Sequence, residues 1–270
     1  MRPFLLICLV AVSFSFFGCL RSSTTILVRK DGSAVVTDSL MLGKSAVEVW
    51  REMAKASKTS LEKLIREQWN DSVFYSAAPK MGPGVTVRSV KFVKGAKGAG
   101  YVSVYDVKDI GTLSINQNSF TEHMQTTDSG KPHTPAYVRF MRSGAAITVH
   151  NMPLTPEPQS DTGAVQSDEE IKQQLEILKK FMGDFELGFR IKIEPGIASS
   201  DASYVQKNVV TIMDLPFKKV INQMEQQPDI FRFMQGNKDS SPWSLERAFN
   251  SLGASVKMET KETIRIVMKQ

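Results

Sequence analysis

The sequence predicts an α+β fold, with a mostly antiparallel sheet built from β-hairpins and inserted helices packed on it. Three pairs of alternating segments flank turns at Asp31-Gly32, at residues 95–100 and at Ser143-Gly144. This pattern is typical of hairpins. Segments with apolar residues at helical spacing separate and follow these pairs, which indicates a single domain of mixed helices and strands.

The first predicted hairpin joins Thr24–Lys30 to Ser33–Leu40, and Gly32 supplies the positive φ that its turn requires. Helices are predicted over residues 45–56 and 60–70, where apolar side chains share one face.

Two local signals follow these helices. Thr59 with Glu62 three residues later resembles a capping box, which predicts that the second helix starts there. The Pro- and Gly-rich stretch 79–84 predicts a turn.

The second predicted hairpin pairs residues 85–93 with 101–107, and the third pairs 136–141 with 145–150. The glycine-rich stretch 95–100 joins two strands and opens no helix. We therefore do not expect it to bind phosphate.

The rest of the chain alternates between predicted helices and strands. In order, these are a helix over 168–182, strands over 188–194 and 208–215, a helix over 217–227, a helix from Ser241 to Gly253, and a final hairpin over 256–268 around Thr260-Lys261. Residues 116–135 and 153–167 are polar and turn-rich, which predicts flexible surface loops.

The start of the chain is typical of a bacterial lipoprotein signal. Arg2 precedes an apolar run over residues 4–17, and a glycine comes directly before Cys19. We expect residues 1–18 to be a signal peptide, Cys19 to be lipidated with chains such as palmitate, and residues 19–270 to form one anchored domain. The run of about 14 residues is shorter than the roughly 20 that a spanning helix needs.

The residues before the cysteine leave an alternative open. Phe16 and Phe17 stand where lipoprotein signals usually have an aliphatic and a small residue, so the alternative is a plain signal peptide with an incidental Cys19.

A lipidated Cys19 would anchor the protein stably, because each buried CH₂ of an acyl chain contributes about 0.8 kcal/mol and two or more chains suffice. The expected location is the bacterial cell envelope, membrane-anchored and facing the periplasm or the cell exterior, with membrane lipid as a partner.

Composition limits the function classes. The chain has 270 residues, of which 41% are hydrophobic and 23% charged, as is ordinary for a domain with its own core. Cys8 and Cys19 are the only cysteines, so the rest of the chain can form neither a disulfide nor a cysteine zinc site. The net charge of +6 is small and no nucleic-acid-binding motif accompanies it, so we expect no nucleic-acid partner.

Candidate catalytic and metal-ligating residues are scattered. His123 and His133 lie in a predicted loop and His150 near a strand end, without the spacing of a helical zinc pair. Asp106 and Asp109 form a candidate carboxylate pair for acid–base chemistry, but a strand end and a turn favour structural roles for them. We therefore expect no metal, no cofactor and no catalytic residue, in a protein that is not an enzyme.

Two side-chain clusters allow both a functional and a structural interpretation. A basic cluster around the second hairpin comprises Arg88, Lys91, Lys94, Lys97 and Lys108. It suits either anionic lipid or a sheet edge protected by lysines, and we prefer the second. An apolar cluster comprises Ile230, Phe231, Phe233 and Met234, and it suits core packing better than a ligand pocket.

Several features together resemble a loose group of bacterial envelope lipoproteins that includes the LppM-like proteins. They are Cys19, the hairpin around Asp31-Gly32-Ser33, the helix with Trp50, the strand ending Glu194-Pro195-Gly196, and Asn208–Ile212 running into Asp214-Leu215. Members are mainly uncharacterised, and glycolipid binding has been suggested for some. The resemblance implies location and fold more than activity.

Three functions follow as expectations. The first is a non-enzymatic, lipid-anchored envelope protein that binds or scaffolds at the membrane surface. The second is a lipid or glycolipid carrier with an apolar cavity. The third is a periplasmic or surface hydrolase with a site built from scattered residues around His150.

Overall fold

A computed structural model describes residues 20–69, 72–95, 98–116, 137–151, 168–227 and 256–270. The strands in these ranges are β1 Leu20–Val28, β2 Ala34–Leu42, β3 Val85–Gly95, β4 Gly98–Val107, β5 Ser114–Asn116, β6 Tyr137–Ser143, β7 Ala146–Asn151, β8 Glu186–Ile193, β9 Ile197–Ser200, β10 Val205–Gln206, β11 Val209–Pro216, β12 Lys257–Met258 and β13 Thr263–Met268. The helices are α1 Lys44–Ala56, α2 Leu61–Gln68, α3 Ser72–Met81, α4 Asp168–Met182 and α5 Phe217–Gln226.

The strands form two sheets, which confirms the predicted α+β class. The larger sheet has the order β10-β11-β8-β1-β2-β4-β3, with β12 also pairing with β11, and the smaller has the order β5-β6-β7-β13-β9. All pairs are antiparallel except β1 with β8, which run parallel. These two strands lie far apart in the sequence, as a parallel pair requires.

The main core lies between the two sheets. Ile26 and Val36 of the large sheet share one buried cluster with Phe140, Ile147 and Ile266 of the small sheet. Face-to-face packing of two sheets buries the alternate residues of each strand, which is why these side chains recur at every second position.

The helices cover other parts of the same face of the large sheet. Trp50 of α1 and Ile65 of α2 pack on Leu20, Leu42 and Tyr101 at the end where β1 begins. A third cluster joins α4 and α5 through Leu175 and Val220, beside Leu215 of β11. We call the face of the large sheet that carries these three clusters the inner face.

The predicted hairpins are confirmed at all three positions. Gly32 has a φ of 87° in the first turn. Arg142 of the small sheet donates hydrogen bonds to the carbonyl oxygens of Lys30 and Asp31 in that turn. A Cβ atom at Gly32 would collide with the guanidinium of Arg142, so the turn needs glycine for both its backbone angle and its space.

The start of α2 differs from the prediction by one residue. Ser60, not Thr59, is the N-cap, and its Oγ accepts a hydrogen bond 3.1 Å long from the amide of Lys63. Thr59 still belongs to the end of α1, because its amide donates to the carbonyl of Ala54 and Lys58 before it has a φ of 51°. This pair closes one helix in the manner of a Schellman motif, and the next residue opens the other.

The turn predicted over residues 79–84 is in part helical. Helix α3 runs to Met81 and contains Pro79 in its last turn. Pro79 cannot donate to the carbonyl of Tyr75 and its ring crowds that carbonyl, so it disrupts the last turn of the helix, which ends two residues later. In β3, a bulge between Val87 and Ser89 changes the alternation predicted for residues 85–93, and Val90 then packs against the core under the helices.

The final hairpin predicted around Thr260-Lys261 is wrong. Strand β12 pairs with β11 in the large sheet, whereas β13 pairs with β7 and β9 in the small sheet. The chain crosses between the sheets at Glu259, which is 3% exposed and whose carboxylate accepts hydrogen bonds from the amide and hydroxyl of Ser203 and the amide of Lys261. A buried carboxylate with three donors fixes this crossing.

The remaining predicted elements at 168–182, 188–194, 208–215 and 217–227 are confirmed as α4, β8, β11 and α5. The helix from Ser241, the loop at 153–167 and nearly all of the loop at 116–135 lie outside the described residues.

Candidate functional site

The middle of the inner face is less buried than its ends. Along β1, Leu20 is fully buried, Ser22 and Thr24 are part-exposed, and burial is complete again from Ile26. Strand β2 repeats this profile, with Asp38 part-exposed between its buried ends. The three clusters therefore leave part of the sheet between them accessible.

We call this area the inner-face gap and define it by Ser22, Thr24, Asp38, Leu40 and Leu187. The register brings them together, because Thr24 pairs with Asp38 and Ser22 pairs with both Leu40 and Leu187. The gap thus combines hydroxyls, one carboxyl and apolar side chains on adjacent strands.

Asp38 is the ionisable group of the gap. The hydroxyl of Thr24 donates a hydrogen bond of 2.8 Å to its Oδ1. Loss of hydration beside the surrounding clusters raises the pKa of Asp38 above its usual range, and hydrogen bonds from Thr24 and the amide of Ser39 offset only part of this. A carboxyl with a raised pKa is suited to hydrogen bonding with a neutral polar group.

Two buried side chains of β4 lie beside Asp38. Ser103, which pairs with Asp38 in the sheet, donates to its backbone carbonyl oxygen over 3.4 Å. Burial raises the pKa of Tyr105 to about 12, with a hydrogen bond from Ser103 opposing this and the charge of Asp38 adding to it. Tyr105 is therefore neutral at physiological pH, and it is buried in the main core, where it pairs with Val36.

Most residues singled out in the sequence have structural roles or lie outside the described residues. Cys19, His123 and His133 are outside them, as are the apolar cluster at 230–234 and Lys97. His150 lies on β7, and its Nδ1 is 3.2 Å from the hydroxyl oxygen of Thr263. The hydrolase hypothesis stays a prediction.

The candidate carboxylate pair is explained by the architecture. Asp106 accepts two hydrogen bonds from Arg88 across β3 and β4, and this ion pair lowers the pKa of Asp106. Asp109 caps a 3₁₀ turn by accepting from the amide of Gly111. The sequence-based preference for structural roles at both positions agrees with these contacts.

The basic cluster lies on β3 and the end of β4. Lys91 and Lys94 are exposed on β3, which is the last strand in the order of the large sheet. This position agrees with the interpretation of edge protection. In the described ranges, no group of three or more His, Cys, Asp and Glu side chains is arranged to hold a metal ion.

Sequence reasoning missed the inner-face gap. Thr24, Asp38 and Leu40 occur in an ordinary alternating strand pair, and only the placement of three clusters from distant segments makes the middle of that pair accessible. A carboxylate at an inward-facing position of β2 was the one available signal, since unpaired inward charges are rare in cores.

The fold and the gap together define an α+β domain with a two-sheet core, two helical clusters on the same face, and a part-exposed polar area between them. The described residues include no helix that is both long and apolar enough to cross a membrane. No family model and no curated protein matches the chain. Among solved structures, the chain is similar to the folded domain of LppM from Mycobacterium tuberculosis, with 12% identity and a TM-score of 0.28 over 72% of this chain and 81% of that one. A likeness of this size carries no conclusion about function.

Proposed function

We propose that this chain is a non-enzymatic, lipid-anchored protein of the bacterial envelope that binds or scaffolds at the membrane surface, anchored through Cys19. One observation carries the proposal. Strand β1 begins at Leu20, the residue directly after Cys19, and Leu20 is fully buried against Leu42 and the helices. An anchor at Cys19 would therefore hold the large sheet at the bilayer without an intervening tether.

This arrangement fits the charges near the start of β1. Arg21 is part-exposed and ion-paired with Asp184 and Glu186, and exposed Lys44 opens α1 beside the end of β2. Basic side chains close to an anchor add attraction to anionic headgroups of about 1 kcal/mol each, less where an acidic partner offsets them.

Metabolic labelling with an alkyne analogue of palmitate tests the proposal. We expect the full chain and its Cys8→Ala variant to incorporate the label and the Cys19→Ala variant to lose it. Cys8 is the matched control, because these two are the only cysteines. An unlabelled wild-type chain, or a label retained in Cys19→Ala, would contradict the proposed anchor.

A second candidate function, lipid or glycolipid carriage, is favoured by the inner-face gap. Its part-exposed Leu40 and Leu187 offer apolar contact, and Thr24 and Asp38 offer hydrogen bonds, which together suit an amphiphile with a polar end. This mixture of apolar surface with a few polar groups is typical of ligand sites.

Thr24→Trp tests the carrier hypothesis, because the indole would fill the gap. The matched control is Thr25→Trp, since successive residues of a strand face opposite sides of the sheet. Native mass spectrometry of the membrane-extracted full chain should detect a co-purifying lipid on the wild type and on Thr25→Trp but not on Thr24→Trp. Equal lipid on all three, or none on the wild type, would contradict carriage.

A further inference from the structure

The opposite face of the large sheet, which we call the outer face, carries none of the clusters that cover the inner face. None of the three buried clusters includes an outward-facing residue of β1, β2 or β4 within the described ranges. Its centre is uncharged and rich in hydroxyl and methyl groups, and it comprises Ser23, Thr25, Leu27, Val35, Thr37, Ser39, Val102 and Val104. These residues lie side by side on three neighbouring strands, and all are part-exposed except Val35, which is 7% exposed.

Ion pairs surround this uncharged centre. They are Arg21 with Glu186, Arg29 with Glu194, Arg88 with Asp106, and Arg190 with Asp214. A charge-depleted centre within a polar rim is the arrangement of a protein–protein interface.

The strand register places opposite charges at the two ends of the same rows. One row runs from Lys91 on β3 through Val102, Ser39, Ser23 and Gly188 to Asp214 on β11. A second row runs from Asp106 on β4 through Val35 and Leu27 to Lys192 on β8. Both lysines are exposed, and neither has an ion-pair partner among the described residues.

We propose that the outer face binds a second copy of this chain, with a two-fold axis that lies along the strands between β1 and β2. This rotation places each row opposite the same row of the second copy, with the two ends of the row exchanged. It brings Lys91 opposite Asp214 of the second copy, and Asp106 opposite Lys192 of the second copy. Because the axis generates each contact twice, four new ion pairs close the two sides of the interface.

The same rotation also determines which central side chains face each other and how the two twisted sheets stack. Leu27 lies opposite Val35 of the second copy, and Thr25 lies opposite Thr37 of the second copy, whereas Val104 lies opposite Arg190 of the second copy. A regularly twisted sheet coincides with itself when it is turned about a central strand direction, so two copies can stack in the aligned manner of a β-sandwich.

The direction of the axis also agrees with the proposed anchor. A two-fold rotation about an axis along the strands leaves both copies of Leu20 at the same end of the dimer. Two anchors at Cys19 would therefore enter one bilayer. A two-fold axis across the strands would put the anchors at opposite ends and would set Lys91 against an uncharged position of β3. This step depends on the proposed function, whereas the charge match does not.

The area of the face shows whether it is large enough for a dimer. Six strands about 4.8 Å apart, with four rows of outward residues about 6.8 Å apart, give roughly 780 Å² per copy. A standard interface buries about 800 Å² per partner, so the face is close to standard size, although area alone does not set the affinity. Confinement of two anchored copies to one membrane raises their effective concentration and favours the dimer.

Charge reversal on the full detergent-extracted chain, followed by sedimentation velocity over a wide range of concentration, tests the dimer. Lys91→Glu and Asp214→Lys should each weaken dimerisation by about tenfold or more, since symmetry breaks each contact twice. The double variant K91E/D214K should restore it. Lys94→Glu is the matched control, because Lys94 pairs with inward-facing Ala99 and lies on the other face of β3.

Circular dichroism on each variant separates a lost interface from a lost fold. Thr25→Trp is a second kind of variant, because it blocks the centre of the outer face without changing the charge of the chain. Restoration in the double variant supports the proposed dimer. A wild-type chain that stays monomeric at every concentration, a dimer insensitive to Lys91→Glu, or a double variant no better than the single ones would overturn it. The same series in the Cys19→Ala background measures dimerisation without an acyl anchor, so the result does not depend on acylation at Cys19.

Discussion

At the scale of single residues, the chemistry of the inner-face gap depends on Asp38. Its carboxyl is inward-facing, accepts a hydrogen bond from Thr24 and has a raised pKa because the surrounding clusters reduce its hydration. The folded state therefore binds this proton more tightly than the unfolded state. The stability from the protonated form is present at low pH and is lost as the pH rises through the folded pKa.

Asp38→Asn should consequently raise the melting temperature at pH 7 and change it little at pH 3, because the amide carries no charge and still accepts from Thr24.

Asp106→Asn should lower the melting temperature at pH 7 and change it little at pH 3. The ion pair with Arg88 lowers the pKa of Asp106, so its contribution is present at neutral pH and is lost as the pH falls. Melting curves of both variants across pH test this, and an Asp38→Asn effect that does not depend on pH would contradict the account of Asp38.

At the scale of elements, the boundary between α1 and α2 shows what a local pattern predicts well and where it fails. Both helices were predictable from apolar spacing, but the capping residue was not. Thr59 and Ser60 are both good N-cap residues in sequence, and only the left-handed φ of Lys58 assigns the first to the end of α1. Backbone conformation, not residue type, decides between neighbours.

Ser60→Ala should lower the free energy of unfolding by about 1 kcal/mol, since the amide of Lys63 loses its acceptor. Thr59→Ala is the matched control, and we expect less than about 0.5 kcal/mol from it. Denaturant unfolding of the two variants measures both values. A larger loss in Thr59→Ala than in Ser60→Ala would restore the capping box with Glu62.

At the scale of the whole molecule, the hairpins were predictable because their turns are local, whereas the assembly of the sheets was not. The parallel pairing of β1 with β8 joins segments more than 150 residues apart, and the division of β12 and β13 between two sheets depends on the buried contacts of Glu259. The inner-face gap and the outer face both arise at this level. Neither has a signal within one segment of sequence.

The central claim is that the domain is anchored at Cys19, directly before its first strand. Intact-mass analysis of the membrane-extracted chain tests this most directly. We predict a mature species that begins at Cys19 and carries the mass of a diacylglycerol thioether with or without an N-terminal acyl chain. A soluble mature species without acyl mass, or an N terminus downstream of Cys19, would contradict the claim.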